Sequence, residues 1–189
     1  QYDEFWNGFQ NYGNRGNHEY AFFCWSNEVI QPKYKVVPSA TSRNICLFAH
    51  NKNLKKIEKK YFDFSNHIPK NSSDVNGNYQ TFHNCAALEE IEDVGIQAGG
   101  YDSTYSICPK LKRIELMRCV EGGLYNAPFA SCRALTDLSI EGVIGKSFPI
   151  PHSPLSVESL KSVITHLKDY SGGNEYSQTV TFKTSAFNA

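Results

Sequence analysis

The sequence has no net charge and no long apolar run, and each absence argues against a class of partner. Its 189 residues contain 19 Lys and Arg and 19 Asp and Glu, whereas proteins that bind nucleic-acid phosphates need a clustered positive face. The basic run at 52–60 (KNLKKIEKK) is typical of a solvated surface. No stretch reaches the ~18 apolar residues of a transmembrane helix. We therefore expect no nucleic-acid partner and no membrane insertion.

The sequence also lacks the spacings that carry chemistry. Its cysteines form no Cys-x-x-Cys pair, and its six histidines form neither a His-x-x-x-His nor a His-Glu-x-x-His motif. We find no glycine-rich phosphate loop and no nucleophile elbow. The sequence therefore predicts no metal, no cofactor and no enzymatic activity. An unusually reactive Cys85, Cys108 or Cys132 would revive the enzyme hypothesis.

A four-point motif of an aromatic, a cysteine, a leucine and an isoleucine or leucine, each three residues apart, recurs along the chain. We number the copies 1 (48–57), 2 (82–91), 3 (105–114) and 4 (129–138), and copy 1 has asparagine in the cysteine slot. Their leucines, at 54, 88, 111 and 135, are 34, 23 and 24 residues apart. The long first step contains the polar stretch 70–77 (KNSSDVNG), typical of an inserted loop. The copies are Phe48-x-x-Asn51-x-x-Leu54-x-x-Ile57, Phe82-x-x-Cys85-x-x-Leu88-x-x-Ile91, Tyr105-x-x-Cys108-x-x-Leu111-x-x-Ile114 and Phe129-x-x-Cys132-x-x-Leu135-x-x-Leu138.

A repeat of 20–29 residues with a leucine ladder is the signature of a leucine-rich-repeat solenoid. Each coil supplies a short strand and a return segment, and neither can bury its apolar side alone. Stacking at the strand spacing of ~4.8 Å lets equivalent residues pack on one another. The sequence therefore predicts an α/β fold in which about four coils form residues 45–150.

The cysteines of copies 2, 3 and 4 should then be buried small hydrophobic residues. Parallel side chains in adjacent coils would hold their Cβ atoms near ~4.8 Å, beyond the usual ~3.5–4.5 Å of a disulfide. We therefore expect Cys85, Cys108 and Cys132 to be reduced. The histidines, including His83 and His166, should lie singly at the surface or its boundary.

A strand should begin near the last motif position, where apolar and polar residues alternate. If Leu116 and Ile140 point inward, the intervening side chains form an exposed row on the sheet. That row would carry Lys56, Glu58, Lys60, Glu90, Glu92, Val94, Arg113, Glu115, Met117, Asp137, Ser139 and Glu141. We predict that a partner contacts Glu92, Arg113, Glu115, Met117, Asp137 and Glu141.

The two ends of the stack would expose core residues, so each end needs a capping segment. Residues 1–44 hold nine aromatics among the first 25 positions, with Tyr2, Phe5, Trp6 and Phe9 on one face of a predicted helix. A cap packing Trp6 and Trp25 on the first coil is the favoured interpretation, and a sugar-stacking platform is the alternative.

Residues 151–189 should form a second cap. They predict a helix with its N-cap at Ser156, ending at Gly172-Gly173, and a final strand at 178–183 with Val180 and Phe182 inward. The helix's apolar stripe would be Val157, Leu160, Val163, Ile164 and Leu167.

The stretches FHNCAALEEI, YSICPKLKRI and FASCRALTDL resemble the BspA-like subclass of bacterial leucine-rich repeats over roughly residues 45–145. The flanks YDEFWNGFQNYGNR and SPLSVESLKSVITHLKDYSGG…QTVTFKTSAF resemble the ends of repeat proteins in tailed phages and prophages of gut Firmicutes. The resemblance implies a tail-associated host-recognition protein located in the virion. Its partners would be a host cell-surface protein or glycan, other tail proteins and a second copy of the chain.

Two other roles remain open at this point. The same repeats could serve a bacterial cell-surface adhesin, or the protein could be an architectural tail component. An extensive exposed apolar patch would favour the architectural role.

Overall fold

The structure is a computed structural model that describes residues 22, 24–37, 46–65, 80–98, 104–119, 121, 128–169, 171 and 178–183. Within these ranges the fold is mixed α/β, with one helix and seven strands. The strands are β1 (Lys56–Ile57), β2 (Glu90–Ile91), β3 (Gln97–Ala98), β4 (Arg113–Cys119), β5 (Asp137–Gly142), β6 (Phe148–Ile150) and β7 (Val180–Phe182). The helix, α1 (Val157–Thr165), lies between β6 and β7.

Strands β1 to β5 form one parallel sheet in which the motif copies lie in register. The strand β1 pairs with β2, and β2 pairs with β4. The strand β4 also pairs with β3 and with β5. Residues two positions after each motif leucine are direct partners across the sheet, namely Lys56, Glu90, Arg113 and Asp137. The parallel sheet and its register therefore follow the sequence repeat.

The motif aromatics stack face to face in the core. Neighbouring ring centroids from Phe48 to Phe129 lie 5.4–5.7 Å apart, with interplanar angles of 4–14°. The stack extends one ring beyond copy 1, because Phe22 lies 5.2 Å from Phe48 at an angle of 7°. Trp25 packs edge-on against Phe22, a residue of the region that the sequence predicted as the N-terminal cap. At the other end Phe148 meets Phe129 edge-on.

Two positions after each stacked aromatic, a residue in the left-handed backbone conformation turns the chain. These residues have φ between 56° and 64°, and they are Cys24, His50, Asn84, Ile107 and Ser131. Each of the first four donates its amide to a carbonyl of the next copy, as in the 2.8 Å bond from His50 to His83. Backbone groups of the turns therefore join each copy to the next.

The motif cysteines are buried and free, and their thiols bond backward to the preceding copy. The Cys85 Sγ donates to the Phe48 carbonyl at 3.0 Å. Cys108 reaches the Phe82 carbonyl at 3.0 Å and Cys132 the Tyr105 carbonyl at 2.9 Å. A thiol is small enough for the core and still supplies a donor, which accounts for cysteine at this position.

The inward pattern of β4 differs from simple alternation. The pairing of β4 with β5 shifts between Ile114 and Met117, so the two β4 residues between them lie opposite the single β5 residue between Leu138 and Ile140. Met117 consequently points inward and is fully buried, whereas Leu116 is only half-buried. The predicted exposure of Met117 is therefore wrong. Val94 was also predicted to be exposed but is buried, three residues after Ile91 and just before Gly95, whose φ is 74°.

The helix α1 covers the free edge of β5 with serine hydroxyls. The Ser159 Oγ accepts from the Leu138 amide at 2.8 Å and donates to the Thr136 carbonyl at 3.0 Å. The Ser162 Oγ accepts from the Ile140 amide at 2.8 Å. These hydroxyls replace the groups that a further strand would supply, and so protect an edge that would otherwise be open to pairing.

The predicted N-cap of α1 is confirmed, and its predicted apolar stripe is corrected. The Ser156 side chain accepts from the Ser159 amide, and Glu158 lies in the first turn. Because α1 faces a strand edge, Ser159 is buried beside Leu160 and Val163. Val157 and Ile164, expected in the stripe, are 44% and 52% exposed. The helix ends at Thr165, before the predicted glycine pair, and that pair lies outside the described residues.

The strands β6 and β7 form a separate parallel pair with Phe148 opposite Val180 and Ile150 opposite Phe182. Val180 and Phe182 pack against the core, as predicted for the final strand. The predicted N-terminal helix with Trp6 lies outside the described residues. No helix in the described part of the chain combines the length and apolar character needed to span a bilayer.

Candidate interaction surface

The outward face of the five-stranded sheet carries a column of alternating charges, which we call the main column: Lys56, Glu90, Arg113 and Asp137. Lys56 Nζ lies 3.3 Å from a Glu90 carboxylate oxygen, and the Arg113 guanidinium lies 2.7 Å from the other. Because parallel strands lie about 4.8 Å apart, like charges in this column would repel one another. Alternation lets Glu90 pair with both of its neighbours in the column.

A second column, one residue earlier in copies 1 to 3, also alternates in sign, and it consists of Lys55, Glu89 and Lys112. Lys55 pairs with Glu28 at 2.8 Å, and Lys112 pairs with Glu89 at 2.7 Å. Backbone bonds join the same positions, as in the 2.8 Å bond from the Glu89 amide to the Lys55 carbonyl. Exposed pairs of this kind add only about 0–1 kcal/mol each, so this column contributes little to the stability of the fold.

The carboxylates of Glu92 and Glu115 are tied to neighbouring backbone as well as to cations. Glu92 accepts from Lys56 Nζ at 2.7 Å and from the Lys59 amide at 2.9 Å. The Lys56 hydrogen bond, assisted by the Lys59 amide, lowers the pKa of Glu92. Glu115 accepts from the Asp93 amide at 3.0 Å and lies 3.9 Å from Arg113. Both carboxylates are therefore fixed in position.

Arg118 joins two acidic residues beyond the main column. Its guanidinium binds both carboxylate oxygens of Asp93, one at 3.1 Å, and its Nε lies 3.0 Å from Glu141. The Arg118 hydrogen bond is the main cause that lowers the pKa of Asp93, and the Gly95 amide contributes to the same effect. Arg118 is half-buried, and it therefore holds the carboxylates of Asp93 and Glu141 together on this part of the face.

A polar depression of about 450 Å³ lies where β4 and β5 meet the start of α1. Three predicted contact residues line it, Arg113, Glu115 and Asp137, together with Glu158 from α1. Ser139, Ser156 and Ser159 add hydroxyl groups, and Ile114 and Leu138 complete the lining.

Five of the six predicted contact residues therefore lie on one sheet face, and Met117 does not. Glu92 and Glu141 lie on that face outside the depression. Sequence reasoning missed Glu158, Arg118 and Asp93. The acidic first turn of α1 was visible in the sequence, but its position beside β5 depends on the serine contacts. Arg118 was missed because the irregularity in β4 reverses which residues face outward.

The motif thiols, His50 and His83 are engaged in contacts away from this face. The neighbouring thiols of Cys132 and Cys85, together with burial, hold the pKa of Cys108 well above its usual value. His83 Nδ1 lies 2.6 Å from Ser106 Oγ, and His50 Nδ1 lies 2.9 Å from Asn84 Nδ2. His83 and His50 are paired, with ring centroids 5.5 Å apart, rather than isolated. Among the described residues, no group of three or more His, Cys, Asp or Glu side chains is arranged to hold a metal ion.

Comparison of the chain with protein-family models, with curated proteins and with solved structures found no match.

Proposed function

We propose that the chain is a non-enzymatic recognition module, built as a leucine-rich-repeat solenoid of the BspA-like type with about four coils and a helix-strand cap at its C-terminal end. The observation that carries this proposal is the sheet face, where charged side chains of successive copies lie in register and alternate in sign. Such a face offers many polar groups at a fixed spacing to one large partner.

The fixed positions of these side chains support binding by rigid display. Glu92 is held by Lys56 and by a backbone amide, and Glu115 is held by another backbone amide. Immobilising a flexible side chain on binding costs about 0.5–1.5 kcal/mol. A face whose side chains are already ordered avoids part of that cost.

The environment of the thiols supports a role without chemistry. A nucleophilic cysteine needs a lowered pKa and access to substrate. Cys108 is buried and its pKa is raised, and the three motif thiols are engaged with backbone carbonyls.

We place the module in a phage tail, as part of a host-recognition protein that binds a cell-surface protein or glycan. Support for this setting comes from the resemblance of the flanking sequences. A bacterial cell-surface adhesin is the alternative location. An architectural tail component is the alternative role, and the exposed Val157 and Ile164 of α1 favour it to the extent that they offer an apolar contact.

The recognition role is tested with a triple variant, Glu92→Gln, Glu115→Gln and Glu141→Gln. Glutamine keeps the shape of each side chain and removes its charge. Fluorescently labelled wild-type protein should bind cells from the source culture, and the folded triple variant should bind at least about tenfold more weakly, equivalent to 1.4 kcal/mol. The matched control is Glu28→Gln, which removes an exposed carboxylate outside the predicted contact set. Equal binding by a triple variant with an unchanged circular dichroism spectrum would contradict the proposal.

Mass spectrometry of purified phage particles tests the setting separately. Finding the chain in virions supports the phage assignment. Finding it only on bacterial surfaces supports the adhesin.

A further inference from the structure

The polar depression lies where the charge alternation of the sheet face stops. In the main column each charge before the last has an opposite neighbour at hydrogen-bond or ion-pair distance. Asp137 closes the column, and among the described residues its carboxylate accepts from the hydroxyl of the adjacent Thr136, at 3.0 Å, and from no cationic side chain. The final position of the column therefore presents a negative charge to the depression.

Other acidic residues of the face differ from Asp137 in having cationic partners. Glu90 and Glu92 pair with Lys56, and Glu141 pairs with Arg118. Within the described ranges no basic side chain pairs with Asp137 or with Glu158, which lines the depression from α1. Unpaired carboxylates therefore coincide with the concave part of the face.

We propose that this depression binds an arginine or lysine side chain of a protein partner. The inference rests on the proposed recognition function and names the chemistry of its partner. The charged side chains of the lining are Arg113, Glu115, Asp137 and Glu158, which give one positive and three negative charges, a net charge of −2. Arg113 is held by Glu90 at 2.7 Å. An incoming cation complements this charge and continues the alternation of the column.

The polar groups that line the depression suit a guanidinium or ammonium group. A guanidinium has five donors in a planar fork, and an ammonium has three donors. Carboxylates of Asp137 and Glu158 and the hydroxyl of Ser139 offer acceptors for these donors. A volume of about 450 Å³ lies within the ~300–1,000 Å³ range typical of binding clefts.

A fluorescently labelled tetra-arginine peptide tests the site, with a tetra-citrulline peptide as its neutral counterpart of similar shape. We expect fluorescence anisotropy to show binding of the arginine peptide and at least tenfold weaker binding of the citrulline peptide. The double variant Asp137→Asn with Glu158→Gln should weaken binding of the arginine peptide at least tenfold. Glu28→Gln removes an exposed carboxylate at the other end of the sheet and should leave the affinity within twofold.

Three results would overturn the inference. They are no binding of the arginine peptide to wild-type protein, unchanged binding by a folded double variant, and equal weakening by Glu28→Gln. The last result would indicate nonspecific attraction to an acidic surface.

Cell binding by the same double variant separates this inference from the recognition function. If wild-type protein and the double variant bind cells equally, recognition stands and the cation site fails as the partner site. If wild-type protein binds the arginine peptide at the depression but binds no cells, the site stands and the proposed cellular recognition fails.

Discussion

Replacing Ser159 with alanine should destabilise the protein, because its hydroxyl serves two backbone groups of the β5 edge. The variant leaves the buried amide of Leu138 without an acceptor and removes one of the donors to the Thr136 carbonyl. An unsatisfied buried amide costs about 1–3 kcal/mol, and a lost hydrogen bond about 0.5–1.5 kcal/mol. The higher helix propensity of alanine returns about 0.5 kcal/mol, so we expect a net loss of about 2.5 kcal/mol.

Ser162→Ala removes only the acceptor of the Ile140 amide, so the corresponding loss is about 1.5 kcal/mol. Urea denaturation followed by circular dichroism measures both values. Hydrogen exchange provides a site-specific readout, because the Leu138 amide should lose protection in the first variant and the Ile140 amide in the second. This assignment distinguishes loss of the edge contacts from general destabilisation.

Thr165→Ala is the matched control on the same helix. The Thr165 hydroxyl bonds to the Lys161 and Ser162 carbonyls and lies 3.3 Å from His166 Nδ1, with no contact to β5 among these bonds. We expect its free energy of unfolding to lie within about 0.5 kcal/mol of the wild type. If Ser159→Ala and Ser162→Ala behave like Thr165→Ala, the hydroxyls do not sustain the sheet edge.

Three further predictions concern the thiols, the histidine pair and Gly142, the last residue of β5. In native protein iodoacetamide should modify the exposed Cys24 on the order of 10³-fold faster than Cys108, which must await unfolding; comparable rates by peptide mass spectrometry would contradict the buried thiol ladder. Burial, followed by the charge of nearby His50, lowers the pKa of His83 below its usual 6.5. Below about pH 6.5 the unfolded chain therefore binds more protons than the folded protein. The free energy of unfolding should be highest above that pH and should decrease as the pH falls. A urea series from pH 7.5 to 5 tests this slope, which should flatten in His83→Gln. Gly142→Ala should cost at least about 2 kcal/mol, because φ is 86° and an added Cβ would collide with the Cys119 carbonyl; a thermal unfolding midpoint equal to that of wild type would contradict this geometry.

The sequence repeat predicted the register of the sheet because both follow the same period. A leucine in each copy fixes the position of the strand two residues later, so Lys56, Glu90, Arg113 and Asp137 become partners. The surface prediction failed at Met117, where one extra residue in β4 turns an apolar side chain inward. Simple alternation carries no information about such an insertion, and a methionine suits either environment.

The orientation of α1 shows a second limit of pattern reasoning. Its apolar residues predicted a helix packed through a hydrophobic stripe. The neighbour of α1 is a strand edge with free amide groups, and hydroxyls satisfy those groups better than methyl groups do. Ser159 is consequently buried while Val157 and Ile164 are exposed. A sequence pattern records which side chains are apolar, but it does not record which backbone groups a helix must satisfy.

The opposite directions of two bonds determine how this chain can change in length. Each motif thiol reaches back to the copy before it, and turn amides such as those of His50 and Asn84 reach forward to the copy after them. An internal copy consequently presents one set of groups behind and the complementary set ahead. Duplicating two neighbouring units together would repeat this bond pattern and keep the charges of the main column alternating, so the surface could be extended while both ends stayed unchanged.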